Sequence, residues 1–419
     1  MAKMIRILSA LLIASFFLIS GNGLQGTLLS VRGDLEEFSL LLIGMLMSAY
    51  YVGFIAGCQY APRMVKRAGH IRTFTALASI ASAAAIAYAL AAEPVFWIGL
   101  RIVTGFALAG LYMIIESWIN ETATNDNRGR ILAVYRIVDL GALTIGQALL
   151  AAADPAAFTL FAFVSILISL ALVPVAMTTT SQPKPIANTE LNLSKLFRIS
   201  PLAASGCLSA GAANGAFWAV GAVYVTRIGY SIDTVAIFMS TVVVAGAISQ
   251  WPIGLLSDQI DRRLVIIVVS MACAASGILL AMTGGNSLQA LLIGAICFGF
   301  SGMPIFGLSV AHANDRAEPH EYVTLAAGLL LLYGVGAVAG PMLATLVMSQ
   351  FGAQTLFGHT SAIYVALALF GLFRLLVSDR PSRKQREDFV AVPRTSPMVF
   401  EIDPRGEDEE ETPSPATHS

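Results

Sequence analysis

The chain is short of charge. Only 12% of its 419 residues are Asp, Glu, Lys or Arg, against about 25% in a typical soluble domain. That is too little polar surface to cover a water-soluble body of this length. The two signs nearly cancel, at a net −1, so no basic excess is available to hold nucleic acid. Cysteine is scarce as well. Cys58, Cys207, Cys273 and Cys297 lie far apart in apolar runs. With no C-x-x-C and no Cys/His cluster, neither a disulfide framework nor a metal site is indicated, and buried, inert thiols are expected. No cofactor is called for. There is no G-x-x-x-x-G-K-[ST] loop to cradle a nucleotide. There is also no H-E-x-x-H and no G-x-S-x-G. The histidines His70, His312, His320, His359 and His418 fall near loops or in the tail, which leaves a membrane-embedded enzyme without a catalytic constellation.

What the chain has in plenty is apolar sequence: 56% of its residues, with a mean hydropathy of +0.75. A helix needs roughly 20 apolar residues to span a bilayer. Runs of that kind predict twelve helices, near 5–31, 38–62, 72–92, 95–119, 129–152, 156–177, 201–226, 232–256, 263–283, 287–311, 322–349 and 355–377. The first has no A-x-A-like cleavage site and reads as a retained helix. The expected fold class is an all-α membrane protein of two six-helix bundles. The expected division is an N-terminal bundle at 1–177, a central loop at 178–200, a C-terminal bundle at 201–378 and a tail at 379–419. The tail is polar, Pro/Ser-containing and closes on Glu407–Glu411, a composition that predicts disorder.

Lys and Arg set the orientation. With the N-terminus inside, the inside segments carry Lys3 and Arg6; Arg63, Lys66, Arg67 and Arg72; Arg128 and Arg130; Lys184, Lys195 and Arg198; Arg262 and Arg263; and Arg316. The outside loops carry only Arg32 and Arg227. Both termini and the central loop are therefore expected in the cytoplasm, and the chain is expected to sit in a lipid bilayer, that of a bacterial inner membrane. Nothing asks for a second copy, and a monomer is expected.

The halves repeat. Asn22-Gly23 and Asn214-Gly215 stand about 192 positions apart. Pro62, at the end of the second helix, matches Gly254 near the end of the eighth, and Gly146 matches Gly340. Six spans per half make this a parallel duplication about an axis along the membrane normal. Two such bundles leave a cleft between them.

The loop after the eighth helix runs Gly254-Leu-Leu-Ser-Asp258-Gln-Ile-Asp261-Arg262-Arg263. It resembles the signature loop of the major facilitator superfamily, G-x-L-x-D-x-x-x-R-R/K. The loop after the second helix is the same motif with Pro62 for Gly and Lys66 for Asp, keeping Arg67 and Gly69. Its acid is missing, and Glu116 is the expected replacement partner for Lys66 or Arg67. Arg101-x-x-x-Gly105, Asn127-Arg128-Gly129-Arg130, Gly334, Gly336, Gly340-Pro341 and Ser249-Gln250-Trp251-Pro252-Ile253-Gly254 extend the likeness to the YcaD-like branch. The resemblance spans roughly 5–378. It implies a transporter, with no substrate attached to the branch. It further implies a cytoplasmic gate at Lys66, Arg67, Gly69, Glu116, Arg128, Gly254, Asp258, Arg262 and Arg263.

Ionisable groups within spans are functional candidates by default. Arg136 and Asp139 are i,i+3 neighbours on the fifth helix. At ~1.5 Å per residue from Arg128, Asp139 lies about 16 Å deep. The pair reads either as a proton-titrating Asp139 held by Arg136 or as a permanent, self-neutralising pair. Glu116 reads as a gate salt bridge or a proton carrier. Arg101 either holds an anion in the cleft or bonds backbone carbonyls. Asn22 and Asn214 present amides from both halves, to a small-molecule substrate or to each other's helices as glue. Gln25, Tyr50, Gln147 and Trp218 are further cleft candidates. A gradient-driven secondary transporter, proton-coupled through Asp139 or Glu116, is the expectation. A channel or solute sensor on the same scaffold is the alternative, since fold does not fix function.

Overall fold

The computed structural model describes residues 2–124, 127–177, 193–318, 321–377 and 389–402. Its helices are α1 (Ala2–Leu35), α2 (Leu40–Ala68), α3 (His70–Ala87), α4 (Pro94–Thr122), α5 (Arg128–Ala148), α6 (Thr159–Ala176), the short α7 (Leu193–Ile199), α8 (Pro201–Arg227), α9 (Ile232–Gln259), α10 (Arg262–Thr283), α11 (Leu288–Gly302), α12 (Ile305–Asn314), α13 (Tyr322–Phe351) and α14 (Thr355–Val377). Among the described residues twelve spans are long and apolar enough to cross a membrane, α11 and α12 together making one. The predicted fold is present.

Helix ends carry their own signals. Ser39, Ser231 and Ser287 accept backbone N–H bonds in the first turns of α2, α9 and α11, and Asp261 does so for α10. These side chains satisfy donors that a helix start leaves open. Gly69 ends α2 at φ +83° and turns the chain directly into α3. Only glycine takes that conformation without strain, so this residue of the signature loop has a backbone reason to be there.

Two helix readings change. Pro62 does not close the second helix, which runs through it to Ala68. The tenth span is not continuous but breaks at Met303–Pro304, because proline has no N–H for the ladder.

Large apolar side chains lie on the outside, Trp251 at 74% and Ile137 at 71% exposure. In water such a surface would aggregate; in lipid it is the solvent contact. Inside, helices pack through small residues, since lipid gives apolar side chains no reason to leave it. The repeat is visible in that packing. A Cβ at Gly146 of α5 would stand 2.5 Å from the Ser20 carbonyl oxygen of α1. A Cβ at Gly340 of α13 would stand 2.0 Å from the Ala212 carbonyl oxygen of α8. The fifth helix of each half thus lies backbone-to-backbone on the first.

The expected set of buried thiols holds in part. Cys207 and Cys273 are buried, but Cys297 is exposed on the outer surface and Cys58 is half-buried.

Candidate functional site

A cavity of about 560 Å³ lies between the bundles, within the range of small-molecule sites. The first half contributes Asn22, Tyr50, Arg101, Arg136, Asp139 and Gln147 to its wall; the second contributes Trp218, Val243, Met303 and Tyr333. Of the predicted cleft residues, Gln25 and Asn214 are absent from this wall. Gln25 is fully buried within the first bundle, and its amide has no hydrogen-bond partner. Asn214 is also buried, and its Nδ2 lacks an acceptor. The equivalence of Asn22 and Asn214 therefore stops short of a paired site: Asn22 donates to the Tyr50 hydroxyl at 3.2 Å.

Gln147 is held at both ends of its amide. It accepts from Thr27 Oγ1 at 2.6 Å and donates to the Gly23 carbonyl at 3.1 Å. This fixes α5 against α1 at the cavity's edge.

Arg136 and Asp139 form an ion pair on α5, as their spacing predicts. Arg136 also donates through Nε to Gln250 Oε1 on α9 at 3.2 Å. One guanidinium thus joins a carboxylate of its own helix to the opposite bundle.

At the face away from the basic loops, the bundles are joined. Arg227 at the end of α8 donates to Asp34 Oδ1 at the end of α1, from Nε at 3.0 Å and Nη2 at 2.7 Å. Ser48 of α2 donates to the Val338 carbonyl of α13 at 2.7 Å. Thr345 sits against Gly44, where a Cβ would come within 2.2 Å of its hydroxyl oxygen.

At the basic face the cavity's mouth is filled by residues 389–402, which contradicts the disorder expected of this part of the tail. Pro397–Ile402 form a 3-10 turn, and Met398, Val399, Phe400 and Ile402 are buried. Thr395 and Ser396 both donate to the Glu116 carboxylate, and Tyr135 donates to it at 2.8 Å. Arg394 lies over the Tyr333 ring, 5.2 Å from its centroid, and donates to its hydroxyl at 3.3 Å. Glu401 accepts from Asn120 at 3.0 Å. Burial pushes the Glu401 carboxyl above the usual carboxylate range, with Asn120 and the nearby Arg128 partly offsetting it. The rest of the tail lies outside the described residues.

The expected bridge from Glu116 to Lys66 or Arg67 is not formed. Lys66 and Arg67 are exposed, while Glu116 is fully buried and saturated by three hydroxyls. A hydroxyl reaches that depth without the desolvation cost of an ammonium or guanidinium.

The intact signature loop is built more tightly than its sequence indicates. Asp258 pairs with Arg262 at 2.7 Å, and Arg262, only 1% exposed, also pairs with Asp315 of the loop after α12. Arg263 pairs with Asp261 at 2.8 Å. Asp258 additionally accepts the backbone N–H of Phe389 at 2.9 Å. Phe389 occupies the space that Gly254 leaves open, where a Cβ would come within 2.3 Å of its ring. The signature glycine and aspartate thus both touch the tail.

Sequence reasoning missed Asp34, Asp315 and the tail residues Phe389, Arg394, Thr395, Ser396 and Glu401. One signal was present: the apolar run Met398-Val399-Phe400 followed by Ile402 is out of place in a solvated tail.

Twelve spans in two repeated bundles around a shared cavity are the build of a polytopic membrane protein with room for a small molecule. The chain belongs to the Major Facilitator Superfamily, whose family model matches residues 11–241 and 228–402. It is similar to an uncharacterised transporter of that type, YcaD of Escherichia coli, at 26% identity over 339 residues, 80% of this chain and 87% of the relative. Among solved structures it resembles the nucleoside transporter NupG, with a TM-score of 0.74 at 14% identity, over 88% of this chain and 99% of the other. It also resembles a bacterial homolog of the human lysosomal transporter Spinster, with a TM-score of 0.73 at 16% identity, over 91% and 97% of the two chains.

Proposed function

We propose that this protein is a secondary active transporter that moves a small solute by alternating access, driven by protons, with its basic face in the cytoplasm of a bacterial inner membrane. The Lys/Arg asymmetry supports that orientation. The joined far face and the cavity mouth at the basic face then correspond to an inward-facing state, with the tail seated in the opening.

The observation that carries the reading is the Arg136–Asp139 pair and its reach to Gln250. Protonating Asp139 removes the counter-charge of Arg136. The pair is only partly buried, at 12% exposure for each side chain, so losing one partner costs less than the ~3–5 kcal/mol of a fully buried pair. Arg136 then depends on Gln250, on water or on solute, so proton occupancy biases one bundle against the other. A tilt of a few kcal/mol shifts a two-state population by about a hundredfold or more.

The test is flux in proteoliposomes under an imposed pH gradient. Asp139→Asn is expected to uncouple solute movement from the gradient while solute exchange at equal pH persists. Undiminished gradient-driven accumulation by Asp139→Asn would remove this residue from the proton path.

A further inference from the structure

We propose that Arg101 is the anion-binding group of the cavity, so that the solute is a small organic anion, a carboxylate on an apolar or aromatic body. This rests on the reading of the cavity as the solute's place.

Arg101 is 3% exposed and forms part of the cavity wall. Its Nε and Nη1 have no acceptor. Its Nη2 touches only Met47 Sδ, at 3.7 Å. The guanidinium lies over the Tyr50 ring, 4.7 Å from its centroid. Among the described residues no carboxylate pairs with it. The acids that line the same cavity are otherwise engaged: Asp139 holds Arg136, and Glu401 takes Asn120. A buried guanidinium without a counter-charge is disfavoured, and proteins almost always supply one. A thioether and a ring face soften the cost and leave the charge uncompensated.

The missing partner fits in the cavity. If the weak Met47 contact is given up, Nη2 and a neighbouring guanidinium nitrogen make the two-pronged donor that a carboxylate accepts. Tyr50 adds a second donor. Its oxygen already accepts from Asn22, which leaves its own proton free for the anion. Around this polar corner the wall turns apolar and aromatic, with Phe54 and Trp218. A fully hydrated inorganic anion has no use for such a wall; an organic acid does.

The experiment uses the full-length protein in detergent, with ligand-induced thermal stabilisation as readout. The probes are benzoate, phenylacetate and hexanoate, each against its primary amide, together with phenyl phosphate and a lysophosphatidylglycerol. The expected result is stabilisation by one or more acids and none by the matched amides. Arg101→Gln should weaken acid binding by about tenfold to a hundredfold, the range of a charge-assisted hydrogen bond. Arg101→Lys, which keeps the charge if Gln fails to fold, should retain the acid-over-amide preference at lower affinity. Response to phenyl phosphate or to the lysolipid alone, lost in Arg101→Gln, would assign the same anion pocket to a phosphate ester or a lipid headgroup. Amides binding as well as acids, Arg101→Gln binding unchanged, or no response to any anionic probe would each overturn the proposal. Binding needs no gradient, so an uncoupled Asp139→Asn protein that still discriminates acid from amide separates this result from the proton mechanism.

Discussion

Ser396 donates its hydroxyl to the carboxylate of Glu116, across 280 positions of chain. With Thr395 donating beside it, this contact seats the tail in the mouth of the cavity. Glu116 thus serves as the tail's receptor and leaves the neighbouring loop cations in water.

Removing residues 389–419 should therefore open the cavity at the basic face. Cys58 lines that cavity and can report on it, in a protein with Cys207→Ser, Cys273→Ser and Cys297→Ser. A charged, water-soluble maleimide should label Cys58 about tenfold faster after truncation, equivalent to at least ~1.4 kcal/mol of docking. Glu116→Ala should go part of the way. Equal labelling with and without the tail would mean that the segment does not obstruct the mouth.

Docking should also respond to pH through Glu401. Its carboxyl is raised above the ordinary range by burial, so the docked tail binds a proton more readily than the free tail. The sign follows by linkage. Docking strengthens as pH falls through the docked carboxyl's range, and it is weakest above it, where the buried group must be charged. Labelling of Cys58 should accordingly slow as pH is lowered, once the rates are corrected for the reagent's own pH dependence with a model thiol. Glu401→Gln should flatten that slope; an unchanged slope would point to another group.

The Asp34–Arg227 ion pair bridges the two bundles at the far face. Arg227 is 40% exposed there, so the pair is worth only about 0.2–1 kcal/mol. Asp34→Arg should still favour opening on that side, by repulsion, and the effect should shrink at high salt. Spin-label distances between α1 and α8 would register it. The exchanged pair, Asp34→Arg with Arg227→Asp, should restore the closed distance; failure to restore it would remove the ion pair from the closure.

Glycines sort by what they face. A Cβ at Gly105 would lie 2.0 Å from the Tyr50 carbonyl oxygen, whereas Gly141 has nothing within 4 Å. Gly105→Ala should lower thermal stability in detergent by about 1–3 kcal/mol through overpacking. Gly141→Ala should be neutral or gain up to about 1 kcal/mol from helix propensity. Comparable losses at both sites would show that the α2–α4 approach is looser than its geometry.

The amino-acid sequence alone determined the spans, the six-and-six division, the repeat and the charged pair on α5. Each is a local or periodic property: run length, Lys/Arg placement, or an i,i+3 spacing that a helix converts directly into contact. Proximity in the chain points Glu116 to Lys66 or Arg67, and here proximity misleads. Which groups meet at depth depends on desolvation, and hydroxyls enter where Lys66 and Arg67 stay in water. Gln25 and Asn214 are polar groups within a span, but helix rotation decides which polar groups reach the cavity. The tail's role was hidden for the same reason. Its apolar run was legible as an oddity, but the cleft that receives it, between α4 of one bundle and α13 of the other, exists only once the two bundles stand side by side. Contacts between residues hundreds of positions apart carry no periodic trace, so only tertiary structure could decide them.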